Sequence, residues 1–474
     1  MEGMGGSLSG RLNLQPYANM TGGNVEPPVA SRGYTRPMVA IAFKVALAVA
    51  CALLGAWALR TRLVDLPERH FLLGALGLQL LPALGAFVAL YGVGHQEPTS
   101  DVPGFYMPAA RAVLAGQLPY RDFVLSYAPL FAYVGAALVA VWNSGKAFAL
   151  FAILLNAAAL VWWHRAAQAC FDRSTVRHCT ILYATSGHVL SQALLGTNQA
   201  WVGAGLAASA MLMTGDRSAS SGLAQAFTAS VTKILAHLFW PVLWICAPRR
   251  FHWLAAAALP TAAVYGIFVV AGAGTAVLPL RAEGEAISPG NLPYLLDLVL
   301  SAAGSYERLL YDGLALTMLG LTTVWLYLNA RSLPPQSRQN LLLAGLAITG
   351  LVFMLFSKKS FTGYVIFVLY PVILMLVCGV VGRRARVAFL LVFNVLLVAE
   401  PSVWFYLKGN GRSLRTWLQT GNSVAILGFV ALDCALLACY VYLAWLSVRG
   451  VRTMAAGAIR SKNSSQSATA CALV

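Results

Sequence analysis

Long apolar runs recur along this chain at roughly the 20-residue length that an α-helix needs to cross a bilayer, which rules out a water-soluble fold. Lipid offers no hydrogen-bond partners, so each run must satisfy its own backbone, and within one segment only a helix does so. Composition agrees, with 59% of the residues hydrophobic and 10% charged, too few charges to coat a soluble surface. Spanning segments are predicted at about 39–59, 71–92, 146–164, 178–194, 198–214, 219–232, 234–247, 253–272, 311–329, 340–356, 362–381, 387–401 and 424–447. The fold class is an all-α, polytopic integral membrane protein of about 13 transmembrane helices with one helix lying outside the bilayer. Residues 1–37, rich in Gly, Ser, Asn and Pro, read as a disordered tail with no cleavable signal pattern; 38–448 form the membrane domain and 449–474 a basic cytoplasmic tail.

The formal net charge of +17 does not point to nucleic acid, because the basic residues cluster in short connections where they set orientation. Arg60, Arg62 and Arg69, then Arg165, Arg173 and Arg177, then Arg217, Arg249 and Arg250 fall on one side. Arg331 and Arg338, then Arg383, Arg384 and Arg386, then Arg449, Arg452, Arg460 and Lys462 join them. That cytoplasmic set holds only if Tyr127 to Trp142, short and interrupted by Pro129, is a juxtamembrane or re-entrant helix instead of a crossing. The opposite, external loops then carry Glu97, Asp101, Asp122, Glu283, Glu285, Asp297, Glu307, Asp312 and Glu400. The same parity puts Arg11, Arg32 and Arg36 outside, against the charge rule.

The first external loop, 93–145, contains a polar stretch from Gly94 to Pro129 that holds Glu97, Asp101, Arg111, Arg121 and Asp122. Within it, DVPGFYMPAARAVLAG has helical apolar spacing between Pro103 and Gly116, which predicts a short amphipathic helix at the membrane surface.

Asp101 opens that helix, either as an N-cap or as a general base. Asp122 competes for the second role, but its neighbour Arg121 offers a salt bridge or turn contact instead. Lys233 lies between two half-length apolar runs; read as a hairpin, they put its ammonium at an external tip, where it is either a functional charge or a snorkelling lysine. His237, one turn on, shares its face and serves either in catalysis or as polar packing. Lys358 and Lys359 form a second external basic tip that calls for an anion, lipid headgroups or one bound phosphate. Asn198 and Gln199, in GTNQ, bind a ligand or cap the next helix, and Glu400 reads as a boundary acid. No GxSxG, HExxH, Walker loop or external DxD pair is present, and the eight cysteines lack metal-ligand spacing, so neither metal nor cofactor is predicted.

The order of these pieces resembles the GT-C superfamily of integral-membrane glycosyltransferases and is most similar to its bacterial family eighty-seven. The resemblance covers roughly residues 90–380 and rests on Asp101 with Tyr106, on Gly116 to Leu130 containing PYRDF-x-x-x-Y-x-P-L, on GTNQ, on Lys233, and on SKKSFTGYVIFVLYP. Ile234 stands where the family has a proline after the lysine, and a further N-terminal span is present. The resemblance implies transfer of a hexose, mannose in the family, from a polyprenyl-phosphate donor to a glycan or glycolipid acceptor on the extracytoplasmic face of the plasma membrane. It makes Asp101 the base of an inverting displacement. Lys233, Lys358 and Lys359 would hold the donor phosphate, with Tyr106, Arg121, Asp122, Asn198, Gln199 and His237 around the substrates. A lipid or solute transporter and a polysaccharide polymerase or ligase are the alternatives in other classes.

Overall fold

The computed structural model describes residues 35–272, 287–300, 309–331, 333–380, 382–407, 417–419 and 423–471. The chain begins α1 (Thr35–Ala58), α2 (Glu68–Phe87), α3 (Met107–Leu114), α4 (Phe131–Val141), α5 (Lys146–Gln168) and α6 (Arg173–Ala184). It continues through α7 (Gly187–Leu194), α8 (Gln199–Thr214), α9 (Ser218–Val231), α10 (Trp240–Cys246), α11 (Arg250–Ala271) and α12 (Leu292–Leu300). It ends with α13 (Leu309–Ala330), α14 (Leu342–Phe356), α15 (Leu369–Gly379), α16 (Arg383–Leu407) and α17 (Ser423–Cys471). Among the described residues the only β pairing is an isolated bridge between Pro119 and Phe123. The predicted 1–37 tail lies outside the described residues up to 34, as do Glu283, Glu285 and Glu307. The predicted 449–474 tail continues α17 as helix to Cys471.

Eight helical segments among the described residues are long and apolar enough to cross a membrane: Ile41–Ala58, Glu68–Val93, Lys146–Gln168, Arg250–Ala271, Leu310–Ala330, Ser337–Phe356, Arg383–Leu407 and Ser423–Ala456. They make this a multi-pass membrane protein. The other five predicted runs are shorter or broken. The 178–194 run splits at Thr185, because the Ser186 side chain accepts from the Val189 N–H and starts α7 as a new helix. Helices α8 and α9 have 16 and 14 residues. The runs after Lys233 and Phe361 each open with a tight 3₁₀ turn, Ile234–Phe239 and Thr362–Phe367, before α10 and α15. The Tyr127 to Trp142 run is likewise short, its helix α4 having 11 residues.

Helix α14 occupies the middle of the bundle, buried along almost its whole length, whereas α11 and α13 are largely exposed and present Leu259, Val270, Leu316 and Leu321 outward. Small residues let other helices approach closely. A Cβ at Gly187 would stand 2.5 Å from the Ala48 Cα on α1, and one at Gly222 would stand 2.4 Å from the Trp253 carbonyl on α11.

Arg177, expected among the loop charges, is instead buried. Its guanidinium donates to the carbonyls of Val64 and Leu66 and to Glu68 Oε2, while Glu68 Oε1 meets His164 Nε2 at 2.6 Å. These contacts tie α6 and α5 to the turn that leads into α2.

Candidate functional site: a carboxylate and an ammonium joined by tyrosines

The site begins with the helix predicted from Pro103 to Gly116. Its first turn, Val102–Tyr106, is wider than an α-turn and runs into α3, which ends as Gly116 takes φ +80°. Met107, Ala109 and Ala110 face inward, where α3 packs on α4, and Arg111 faces out to Asn143 Oδ1. Asp101 occupies the N-cap position, yet its side chain caps no backbone N–H. Its Oδ2 accepts a hydrogen bond from the Tyr127 hydroxyl at 2.9 Å. The carboxylate is half-buried.

Tyr127 is put there by the PYRDF turn. Tyr120 adopts φ +63°, and its hydroxyl donates to the Tyr127 carbonyl. Asp122 Oδ2 accepts from the Leu118 N–H at 2.7 Å and pairs with Arg121 at 2.8 Å. Hydrogen bonding to Arg121, then to the Leu118 N–H, lowers the Asp122 pKa to about 2, which makes it a weak base and a turn lock. Beyond the turn, the Ala128 and Leu130 N–H groups donate to the carbonyls of Thr232 and Ser230 at 3.1 and 2.9 Å. The motif thereby docks on the end of α9, immediately before Lys233.

The Lys233 ammonium donates to the Tyr364 hydroxyl at 3.3 Å and lies over two aromatic faces, 5.0 Å from the Tyr127 centroid and 5.3 Å from that of Tyr364. Such contacts are each worth roughly 0.5–2 kcal/mol and leave N–H donors for a further ligand. No carboxylate forms an ion pair with Lys233 among the described residues. Tyr106 lies fully buried beneath, its ring 5.2 Å from Tyr127 and 4.8 Å from Phe131. The GTNQ turn supports it through its backbone: the Asn198 N–H donates to the Tyr106 hydroxyl at 3.1 Å. The side chains of Asn198 and Gln199 are buried, so neither offers a surface to a ligand in this conformation.

Asp101, Tyr106 and Lys233 therefore come together, and His237, Lys358 and Lys359 do not join them through any described contact. His237 is held by the Ile234 carbonyl at 2.9 Å and packs on Trp240 and Tyr265. Lys358 is buried and forms an ion pair with Asp312 at 2.7 Å, so the anion its position called for is supplied by the chain itself. Lys359, half-buried beside it, donates its backbone N–H to Ser357 Oγ. Glu400, expected at a helix boundary, is fully buried and accepts from the Thr362 hydroxyl.

Sequence reasoning left Tyr127 and Tyr364 out of the site, although both stand in quoted motifs, Y-x-P-L and SFTGY. Their signal was a tyrosine beside a turn residue. The constellation can take up a proton at Asp101 and stabilise an anion at Lys233. Among the described residues no group of three or more His, Cys, Asp or Glu is arranged to hold a metal. Comparison of the chain with protein-family models and with curated proteins gives no match.

Proposed function

We propose that this protein is a membrane glycosyltransferase that moves a hexose, mannose first among the candidates, from a polyprenyl-phosphate donor to a glycan or glycolipid acceptor. The site faces the extracytoplasmic side of the plasma membrane in this reading, which the distribution of loop charges supports. One observation carries it: the Tyr127 phenol bonds the Asp101 carboxylate while its ring lies under the Lys233 ammonium, which sets a base and a cation in one half-buried place.

The acceptor hydroxyl attacks the anomeric carbon, its proton passes to Asp101, and the bond to the phosphate oxygen breaks with the electron pair leaving on phosphate. Lys233 stabilises the negative charge that grows there, and a phosphate needs no acid to leave. Asp101 is the sole carboxylate of the constellation, so single displacement with inversion is the simplest route. Lys358, already paired to Asp312, falls out of the phosphate clamp; Arg121 and Asp122 shape the loop instead of binding sugar.

Purified protein in vesicles, given a labelled polyprenyl-phosphate sugar and a glycolipid acceptor, should form a new glycosidic bond. Movement of label across the bilayer without bond formation would favour a transporter, and chain extension from a lipid-linked oligosaccharide would favour a polymerase or ligase.

A further inference from the structure

Glu400 on α16 and Asp433 on α17 are each 0% exposed, on helices that pack along one another within spanning segments. The Thr362 hydroxyl satisfies Glu400 Oε2. Glu400 Oε1 and the hydroxyl of Tyr440, also 0% exposed, have no hydrogen-bond partner, and the Asp433 carboxylate has no side-chain partner among the described residues, only the Gly290 backbone amide beside it. Tyr440 follows Asp433 by two helical turns and so shares its face of α17. Electrostatic interaction links Glu400, Asp433 and Tyr440 to one another. Among the described residues, the 290–297 segment also contributes the Gly290 amide, which faces Asp433, and Tyr294, which interacts with both acids and with Asp297 and whose hydroxyl accepts from Trp404 Nε1 at 3.1 Å. No basic side chain pairs with either acid among the described residues.

Two carboxylates buried with no countercharge among the described residues are costly to keep charged, and neutral polar atoms left unbonded add to that cost. The oxygens of these three buried side chains that lack a side-chain donor are the candidates to hold a positive charge. We propose that Glu400, Asp433 and Tyr440 form a binding site for one small monovalent cation, a proton or a sodium ion, shared between the two carboxyls. The site connects to the Asp101 constellation through short links. Thr362 begins the turn that presents Tyr364 to Lys233, and Gly290 precedes Asn291, whose amide donates to the carbonyls of Ser288 and Ser360. An occupant would therefore brace α16, α17 and the loop beside Lys233. This site does not depend on the glycosyltransferase reading, because its occupancy is read by binding and stability.

Thermal unfolding of the purified full chain tests it as sodium chloride replaces choline chloride at constant ionic strength, and as pH is varied between roughly 5 and 8.5. A sodium ion raises the wild-type Tm by ~3 °C or more at saturation. A proton instead gives no sodium response, a Tm that falls as rising pH leaves a buried charge, and an infrared band of a protonated carboxylic acid. Asp433→Asn and Glu400→Gln abolish the sodium response or, for a proton, the protonated-acid band while keeping side-chain shape, and Tyr440→Phe weakens it. Should one carboxamide variant fail to fold, the other carries the test. A wild-type protein indifferent to both ions, or a response that survives in Asp433→Asn or in Glu400→Gln, overturns the site.

Discussion

The hydroxyl of Tyr127 donates to Asp101 Oδ2 at 2.9 Å, although 26 residues separate the two and Asp101 stands where an N-cap would normally bond its own helix. The freed cap position matters because a carboxylate engaged by backbone N–H groups is a poor proton acceptor, whereas one held by a single phenol keeps an oxygen for substrate. The phenol also fixes the direction in which that oxygen points.

Asp101→Asn should leave membrane insertion intact and lower sugar transfer by roughly 10²-fold or more, the scale for a lost general base. Tyr127→Phe keeps the ring under Lys233 and removes only the donor, so transfer should fall by about tenfold, as expected for one hydrogen bond to a charged group. Asp122→Asn, on an exposed pair, should leave turnover within about twofold. Steady-state rates of the three variants, with folding checked by size-exclusion elution, measure these effects. Equal losses in Asp101→Asn and Asp122→Asn would return Asp101 to a structural role.

Lys358 and Asp312 predict an asymmetry in stability. Lys358 is 1% exposed and Asp312 42% exposed, so water can take over the carboxylate if the lysine is removed but cannot reach the ammonium if the acid is removed. Asp312→Asn removes one partner of this buried ammonium and should lower the Tm of the purified protein more than Lys358→Met does. Lys358→Met should leave the KM for the lipid-linked donor unchanged. A large rise in that KM without loss of Tm would restore Lys358 to the phosphate site.

Much of this was legible in the chain. The eight spanning segments follow from run length and apolar content, and the Pro103 to Gly116 helix follows from spacing and its two breakers. Periodicity describes which face a helix buries but not what stands opposite, so contacts between distant segments stayed hidden. Asp312 answering Lys358, Glu68 answering Arg177, and Tyr364 reaching Lys233 across 131 residues are of that kind. The split at Ser186 was hidden for a different reason: a side-chain cap inside an apolar run barely alters its hydropathy.

The loop charges give the orientation proposed for the chain. In a background without native cysteines, a cysteine at exposed Gln117 should react with an impermeant thiol reagent in intact cells, and one at exposed Asn340 only after permeabilisation. The reverse labelling would put Asp101 on the cytoplasmic face.

The central claim is that Asp101 and Lys233 transfer a sugar from a lipid phosphate, and donor choice by the purified protein tests it most directly. Wild-type protein, Asp101→Asn and Lys233→Met are each given a labelled polyprenyl-phosphate sugar or a nucleotide sugar with the same acceptor. Transfer should occur from the lipid-linked donor alone. Lys233→Met, which keeps length and apolarity, should lose one charge-assisted bond to phosphate, on the order of 1.5–3 kcal/mol or roughly ten- to a hundred-fold in kcat/KM. Transfer from the nucleotide sugar alone, or lipid-linked transfer unchanged in Lys233→Met, would contradict the account.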